Sequence, residues 1–270
     1  MSEPSVLVER RADYRVLTLN RPERRNAFND VMLTALRAAI DEAEADESCR
    51  ALLITGAGRG FCAGQDLADR VAKPGETLVL GQAQAMHYNP LVRKLRALPF
   101  PVVAAVNGVA AGAGCSVALA CDIVLAARSA SFVQSFARVG LVPDTGGSWF
   151  LPRLVGDARA RGLALLAEPL PAEKAEIWGL IWKCVDDEAL ASEAQKLCEH
   201  FAAAPTQGLA LIKRALNASA TNTLDAQLEL ERALQREAAA TPDYQEGVRA
   251  FIEKRKPNFI GRARSGGGDG

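Results

Sequence analysis

Short apolar runs alternate along most of the chain with longer stretches in which apolar side chains recur every three or four residues. Short runs of this kind are typical of strands, and the longer spacing is typical of amphipathic helices. Strands are predicted at residues 6–9, 15–20, 51–55, 102–106, 123–126, 131–133 and 181–185. Helices are predicted at residues 30–43, 82–98, 113–120, 148–154, 157–166 and 172–178. This alternation predicts an α/β fold.

From residue 187 onward the pattern is helical throughout, with breaks at Pro205, near Thr221 and at Pro242. The chain is therefore expected to have an α/β core at residues 1–204, a helical region at 205–262 and a disordered, glycine-rich tail at 263–270. A mobile loop is expected at residues 71–81, because the run KPGE at 73–76 forms turns and has little to bury.

Residues 102–122 combine a buried strand, a glycine-rich turn and a helix of small apolar residues. The glycines are Gly108, Gly112 and Gly114. The first N–H groups of such a helix lack intrahelical partners and lie at the positive end of its dipole. Because the turn contains no Lys, we expect these donors to hold a developing oxyanion rather than a nucleotide phosphate.

Composition narrows the possible functions. The chain has 270 residues, a formal net charge of zero and no apolar run long enough to span a bilayer, so neither a nucleic-acid nor a membrane partner is expected. Its six Cys show no CxxC spacing, which favours free thiols in the cytoplasm over disulfides or a metal site. The only two His, at positions 87 and 200, leave little scope for histidine chemistry.

Four motifs in order resemble the enoyl-CoA hydratase/isomerase (crotonase) superfamily. They are LNRP at 19–22 with Asn26-Ala27, GFCAGQDL at 60–67, the stretch 101–122, and GLVPDTGG at 140–147. The resemblance covers about residues 5–260 and implies a spiral of ββα units, with the C-terminal helices forming a trimerisation region. It also implies an acyl-CoA thioester as substrate, no separate cofactor, no metal, and a homotrimer or a dimer of trimers.

The same resemblance implies site residues. The thioester oxygen would be held by the backbone amides of Gln65 and Ala113. Two such donors are worth about 3–4 kcal/mol each in comparable oxyanion holes. The residues implied in substrate and CoA binding are Arg24, Asn26, Ala27, Ala63, Asp66, Leu67, Gly112, Phe136 and Lys256, the last of which can serve a neighbouring subunit. Phe136, Met86, Leu78, Leu141 and Trp149 are the candidates for lining the acyl pocket.

The hydratases of this superfamily carry two glutamates, at positions that Ser116 and Phe136 occupy here. Adding water across a double bond needs two positioned acid/base groups, so hydration is not expected. Asp144 stands where the superfamily's isomerases place a carboxylate. One carboxylate is enough to move a proton along an acyl thioester, and Asp144 is therefore the candidate catalytic residue.

A narrower resemblance involves GAGRGFCAGQDL at 56–67, YNPLVR at 88–93 and IW at 181–182. It points to the branch of the superfamily that converts ring-1,2-epoxyphenylacetyl-CoA to oxepin-CoA in phenylacetate catabolism. That branch is also associated with moving a double bond from the Δ3 to the Δ2 position of enoyl-CoA esters.

Other interpretations of the same residues stay open at this point. Asp144 can simply cap the helix that begins near Gly146. Ser116 lies in a near match to a serine-hydrolase elbow, although a buried, hydrogen-bonded serine is the simpler explanation. Asp144 can also act as the nucleophile of an aryl-CoA dehalogenase, with His87 as base, or the chain can be a CoA-ester binding protein without catalysis.

Overall fold

The computed structural model describes residues 3–70 and 81–262. Residues 71–80 of the loop predicted at 71–81, which include the pocket candidate Leu78, and the tail predicted at 263–270 lie outside these described residues.

The described residues form strands and helices in alternation, followed by helices alone. The strands are β1 (Val6–Arg10), β2 (Arg15–Leu19), β3 (Leu52–Gly56), β4 (Gly60–Cys62), β5 (Val102–Val106), β6 (Val109–Ala111), β7 (Ile123–Ala127), β8 (Ser131–Val133), β9 (Leu170–Pro171) and β10 (Lys183–Val185). The α-helices are α1 (Asp30–Ala45), α2 (Asn89–Ala97), α3 (Ala113–Ala120), α4 (Gly147–Val155), α5 (Asp157–Leu166), α6 (Ala172–Ile177), α7 (Leu190–Ala202), α8 (Thr206–Ser219), α9 (Leu224–Ala239) and α10 (Pro242–Ile252).

A sheet with the strand order β1-β2-β3-β5-β7-β10 forms the main layer. Its first two strands are an antiparallel hairpin, and every other neighbouring pair is parallel. The central strand β5 is buried along its whole length, which explains its continuous apolar run. Helix α1 starts where the Asn29 side chain accepts a hydrogen bond from the Met32 amide at 2.9 Å and thereby caps the helix.

A second, smaller sheet has the order β4-β6-β8-β9. Sequence analysis missed β4, β6 and β9, because each has only two or three residues and no readable periodicity. Each turn of the chain through the core thus contributes one strand to the main sheet and one to the small sheet, as in β3 with β4 and β5 with β6. The α/β class is confirmed, and the two-strand turns match the expected spiral.

Helix α3 lies at the centre of the molecule. All eight of its residues are buried, and it packs against β4, β6 and α4. A Cβ atom at Gly114 would lie 2.5 Å from the carbonyl oxygen of Cys62, so only glycine allows α3 and β4 to come this close. This contact brings the loop after β4 to the N-terminus of α3.

The helices α8, α9 and α10 follow Pro205, the first of the predicted breaks. Lys213 anchors α8 to the core, because its ammonium group donates to Asp122 and to the carbonyl of Leu95, each at 2.7 Å. The division at residue 205 and the oligomerisation role of these helices stay predictions. Within the described ranges, every helix is too short or too polar to cross a bilayer.

The contact at Gly114 can be tested with a pair of identical substitutions. Gly114→Ala is expected to destabilise the protein by about 1–3 kcal/mol, because the added methyl group overlaps the backbone at Cys62. Gly162→Ala is the control, since that helical glycine in α5 has open space at its Cβ position and should gain up to about 1 kcal/mol. Urea unfolding measures both, and a Gly114→Ala protein as stable as the control would contradict the close approach.

Candidate active site

Two backbone segments meet at the centre of the site: the loop after β4 and the turn before α3. Gly64 in the first has a φ of +91°, which favours glycine. A Cβ atom at Gly64 would lie 2.8 Å from the carbonyl oxygen of Ala111 and 3.5 Å from the amide nitrogen of Ala113. The missing side chain therefore allows the two segments to lie directly against each other.

The amides of Gln65 and Ala113 both remain available as donors. Phe28 donates to the Gly64 carbonyl and accepts from the Asp66 amide, so the N–H of Gln65, between them, points away from Phe28. Ala113 is the first residue of α3, and its N–H has no acceptor within the helix. Neither amide has a backbone acceptor outside the helices within residues 3–70 and 81–262. The structure thus brings the two predicted donors together.

A cavity of about 250 Å³ opens over these two amides. Gln65 and Ala113 line it together with Asp144. The other described residues along its wall are Ala63, Gly64, Leu67, Gly81, Ala83, Gln84, Gly112, Ser135, Phe136, Arg138, Val139 and Leu141. The pocket candidates Phe136 and Leu141 are therefore confirmed as lining residues. Met86 is 56% exposed and, like Trp149, does not lie on this wall, so both of those predictions are wrong.

The Asp144 carboxylate is held by two donors. Gln84 donates from Nε2 to Oδ2 at 2.7 Å, and the Thr145 hydroxyl donates to Oδ1 at 2.8 Å. Helix α4 begins after Gly146 without any side-chain cap, so the interpretation of Asp144 as a helix cap is wrong. The carboxylate instead lines the cavity that the Gln65 and Ala113 amides share.

The two positions at which hydratases of the superfamily carry glutamate are both non-acidic and both buried. The Ser116 hydroxyl lies 3.1 Å from the carbonyl oxygen of Asp144 and 3.3 Å from that of Gly112, so it links α3 to the segment that carries the carboxylate. Phe136 contributes an apolar ring to the cavity wall. Asp144 is therefore the only carboxylate among the described residues that line the cavity.

The predicted substrate-binding loop around Asn26 is held by hydrogen bonds from buried and partly buried side chains. Asn26 is fully buried; its side chain accepts from the Arg21 amide at 2.9 Å and donates to the carbonyls of Ala57 and Gly60 at 2.9 and 2.8 Å. Arg21 also pairs with Asp66 at 3.0 Å and donates to the Ala27 carbonyl at 2.7 Å. The Asn26 and Asp66 side chains thus shape this loop.

The remaining binding candidates lie at different places. Ala63, Leu67 and Gly112 line the cavity, whereas Arg24 is exposed on the short 3₁₀ helix Pro22–Arg24. Lys256 is exposed and borders a separate surface depression near Tyr14 and Phe259. Within one chain it does not reach the wall that carries Asp144.

The groups that the alternative reactions require are not placed for them. The Ser116 hydroxyl faces two carbonyl oxygens, and the His87 imidazole lies 3.9 Å from Asp30, off the cavity wall. Burial raises the pKa of Cys62, in β4, and of Cys115, in α3, to about 12, so both thiols stay protonated at neutral pH. The described residues contain no group of three or more His, Cys, Asp or Glu side chains suited to a metal ion.

Sequence analysis gave no site role to Gln84 and used Tyr88 only as part of the motif at 88–93, yet the two residues contact the two halves of the site. Gln84 donates to Asp144, and the Tyr88 hydroxyl donates to Oε1 of Gln65 at 2.8 Å. Both lie on one π-helical turn, Gln84–Tyr88, at the start of the helix predicted for residues 82–98. Neither contact partner is close in sequence, so the apolar pattern of the helix carries no signal of them.

Comparison with known proteins finds relatives that match most of this chain. The 1,2-epoxyphenylacetyl-CoA isomerase of Escherichia coli K12 is 58% identical over 247 residues, which are 91% of this chain and 94% of that protein. A protein of Rhodobacter capsulatus named probable enoyl-CoA hydratase is 48% identical over 92% of this chain and 94% of its own length.

Solved structures show the same fold. The crystal structure of an enoyl-CoA hydratase from Bacillus anthracis superposes with a TM-score of 0.89 at 30% identity, covering 95% of this chain and 99% of that one. Residues 9–262 match the family described as enoyl-CoA hydratase/isomerase. This match, together with the 58% identity to the Escherichia coli isomerase, shows that the chain belongs to the enoyl-CoA hydratase/isomerase family.

Proposed function

We propose that this enzyme isomerises ring-1,2-epoxyphenylacetyl-CoA to oxepin-CoA, which is 2-oxepin-2(3H)-ylideneacetyl-CoA, and also moves the double bond of enoyl-CoA esters from Δ3 to Δ2. The observation that carries the proposal is Asp144, the one carboxylate among the described residues of the cavity wall that the Gln65 and Ala113 amides share. The isomerase of Escherichia coli, at 58% identity, supports the choice of substrate.

Both reactions reduce to the same proton transfer. The ring epoxide opens to an oxepin by a shift of ring electrons that needs no acid or base, and this leaves a double bond between the β and γ carbons of the acyl chain. The Asp144 carboxylate then takes a proton from the α carbon. The electrons of that C–H bond form a double bond between the α carbon and the thioester carbon, and the carbonyl electrons move onto the thioester oxygen.

The amides of Gln65 and Ala113 stabilise that oxygen, and such donors act most strongly in a cavity from which water is excluded. The protonated Asp144 returns its proton to the γ carbon, the enolate collapses, and the double bond becomes conjugated with the thioester. In the oxepin the γ carbon is the ring carbon C3, so this step gives the ylidene product. No water is consumed and the carboxylate ends in its starting state.

The wall of the cavity suits an apolar ring and does not suit hydration. Phe136, Val139 and Leu141 contribute apolar side chains. Activating water and protonating the adjacent carbon would require a second acid/base group. In hydratases such groups lie at the positions of Ser116 and Phe136. Without them the same fold can transfer a proton but cannot add water.

The roles in substrate binding are proposed in the same way. The Arg24–Ala27 and Ala63–Leu67 segments, which are joined by a hydrogen bond from the Ala63 amide to the Arg25 carbonyl at 3.0 Å, flank the CoA moiety. Lys256 reaches the phosphates of CoA bound to a neighbouring subunit. Coenzyme A is part of the substrate, and no further cofactor is required. The enzyme acts in the cytoplasm, in phenylacetate catabolism.

Replacing the carboxylate tests the mechanism. Asp144→Asn should lower isomerisation of a 3-enoyl-CoA by at least about 100-fold, because an amide cannot accept the α proton. Acyl-CoA binding should persist, since the two amides are untouched. Asp157→Asn, an exposed carboxylate in α5, is the matched control.

The reaction is followed in deuterated water by mass spectrometry of substrate and product. We expect the wild-type enzyme to give the 2-enoyl product, with deuterium at exchangeable carbons and no hydrated species. Near-normal turnover by Asp144→Asn would contradict the role of Asp144. A hydrated product would indicate a hydratase, and no turnover by the wild type would indicate a CoA-ester binding protein.

The helical region is proposed to hold three chains together, or six as a dimer of trimers. Large apolar side chains on α8–α10 are exposed in the single chain, including Ile212 at 57%, Leu216 at 65% and Phe251 at 85%. Light scattering should therefore give a mass three or six times the 28.7 kDa of one chain. Leu216→Asp should weaken the assembly, and a monomeric wild-type protein would contradict the proposal.

A further inference from the structure

The Asp144 carboxylate has to meet two different carbons of the same substrate, and its orientation is therefore as important as its presence. It takes a proton at the α carbon and delivers it at the γ carbon. A carboxylate that rotates freely can take the proton and return it to the carbon from which it came. Productive transfer requires that the carboxylate plane stays fixed between the two carbons.

The described residues supply that constraint from two separate elements. Thr145, next in the chain, donates to Oδ1, and Gln84, from the other side of the cavity, donates to Oδ2. With one donor on each oxygen, the group is fixed against rotation. Each oxygen keeps a second lone pair with which it can accept the substrate proton.

The Gln84 side chain is itself fixed. Its Oε1 accepts from the amide of Gly81 at 3.0 Å, and its Nε2 donates to Asp144 at 2.7 Å. The backbone donor at Gly81 determines which end of the carboxamide faces Asp144, because only the NH₂ end can donate to a carboxylate. Gln84 is partly buried and lies on the cavity wall, so its bond to Asp144 is partly shielded from bulk water, whereas the bond from Gly81 is exposed.

The helix that carries Gln84 is widened at this point. Residues Gln84–Tyr88 form a π-helical turn, in which the Asn89 amide donates to the Gln84 carbonyl. Pro90 follows at once; it has no N–H, and its ring crowds the carbonyl four residues earlier. Turns of this type occur often at functional sites. Tyr88, at the end of the turn, contacts Gln65. One helical turn therefore contacts both Asp144 and the residue whose amide is the first oxyanion donor.

Resting on the proposed function, we propose that Gln84 is a positioning residue for the isomerisation: with Thr145 it fixes the plane of the Asp144 carboxylate so that a proton taken from the α carbon is delivered to the γ carbon. Gln84 acts through Asp144 and does not itself transfer the proton. Its loss should change the fate of the proton more than the binding of the substrate.

The test substitutes leucine, which has nearly the volume of glutamine and no donor. Gln84→Leu should lower kcat on a 3-enoyl-CoA by about 10- to 100-fold, the range expected when a catalytic group is slightly misplaced, and should leave KM within about threefold. Gln82→Leu is the matched control, because Gln82 is an exposed glutamine two residues earlier on the same helix. It should behave as the wild type.

The decisive readout is the ratio of two rates in deuterated water: deuterium uptake at the α carbon of recovered substrate, and formation of product. We expect this ratio to rise in Gln84→Leu, because protons are still abstracted but are returned to the α carbon more often. A general loss of folded enzyme would lower both rates together and leave the ratio unchanged.

Thr145→Val removes the other donor with little change of shape, and it should raise the same ratio; it carries the test if Gln84→Leu does not fold. An unchanged ratio, or a loss confined to KM, would overturn the proposal for Gln84. Absence of isomerisation by the wild type would instead overturn the proposed function itself, and these two failures are therefore distinguishable.

Discussion

The site depends on the close approach of two stretches of backbone, residues 62–65 and 111–114. Glycine at two positions allows this approach: a Cβ atom at Gly64 would lie 2.8 Å from the carbonyl oxygen of Ala111, and one at Gly114 would lie 2.5 Å from the carbonyl oxygen of Cys62. The small sheet β4-β6-β8-β9 and the buried helix α3 hold both stretches in place. Two amides that belong to distant parts of the sequence thereby come to line one cavity, and neither contribution depends on the identity of a side chain.

Because the oxyanion donors are backbone groups, the acid/base side chains are free to differ between members of the family. In this chain the two hydratase glutamate positions hold Ser116 and Phe136, and Asp144 remains. The Ser116 hydroxyl lies 3.1 Å from the Asp144 carbonyl oxygen and so helps to hold the segment that carries Asp144. Among the described cavity residues the two amides are thus combined with one carboxylate, which is the minimum that the proposed proton shift requires.

The sequence predicted the long elements well, because their apolar periodicity extends over enough residues to be read, as in α1 and α5. It did not predict β4 or β6, whose three residues carry no period and whose pairing is set by distant partners. Asp144 was found through motif order, which places residues by resemblance. Gln84 was not found, because its role arises from a contact across 60 positions of sequence, and no local pattern marks a glutamine that faces a carboxylate.

The most direct test of the account is a crystal structure with an acyl-CoA whose thioester is replaced by an enolate mimic. The account predicts that the mimic's oxygen lies within about 3.1 Å of the amide nitrogens of both Gln65 and Ala113. It also predicts that an Asp144 carboxylate oxygen lies within about 3.5 Å of the α carbon. An oxygen bound away from the two amides, or a carboxylate turned out of the cavity, would contradict it.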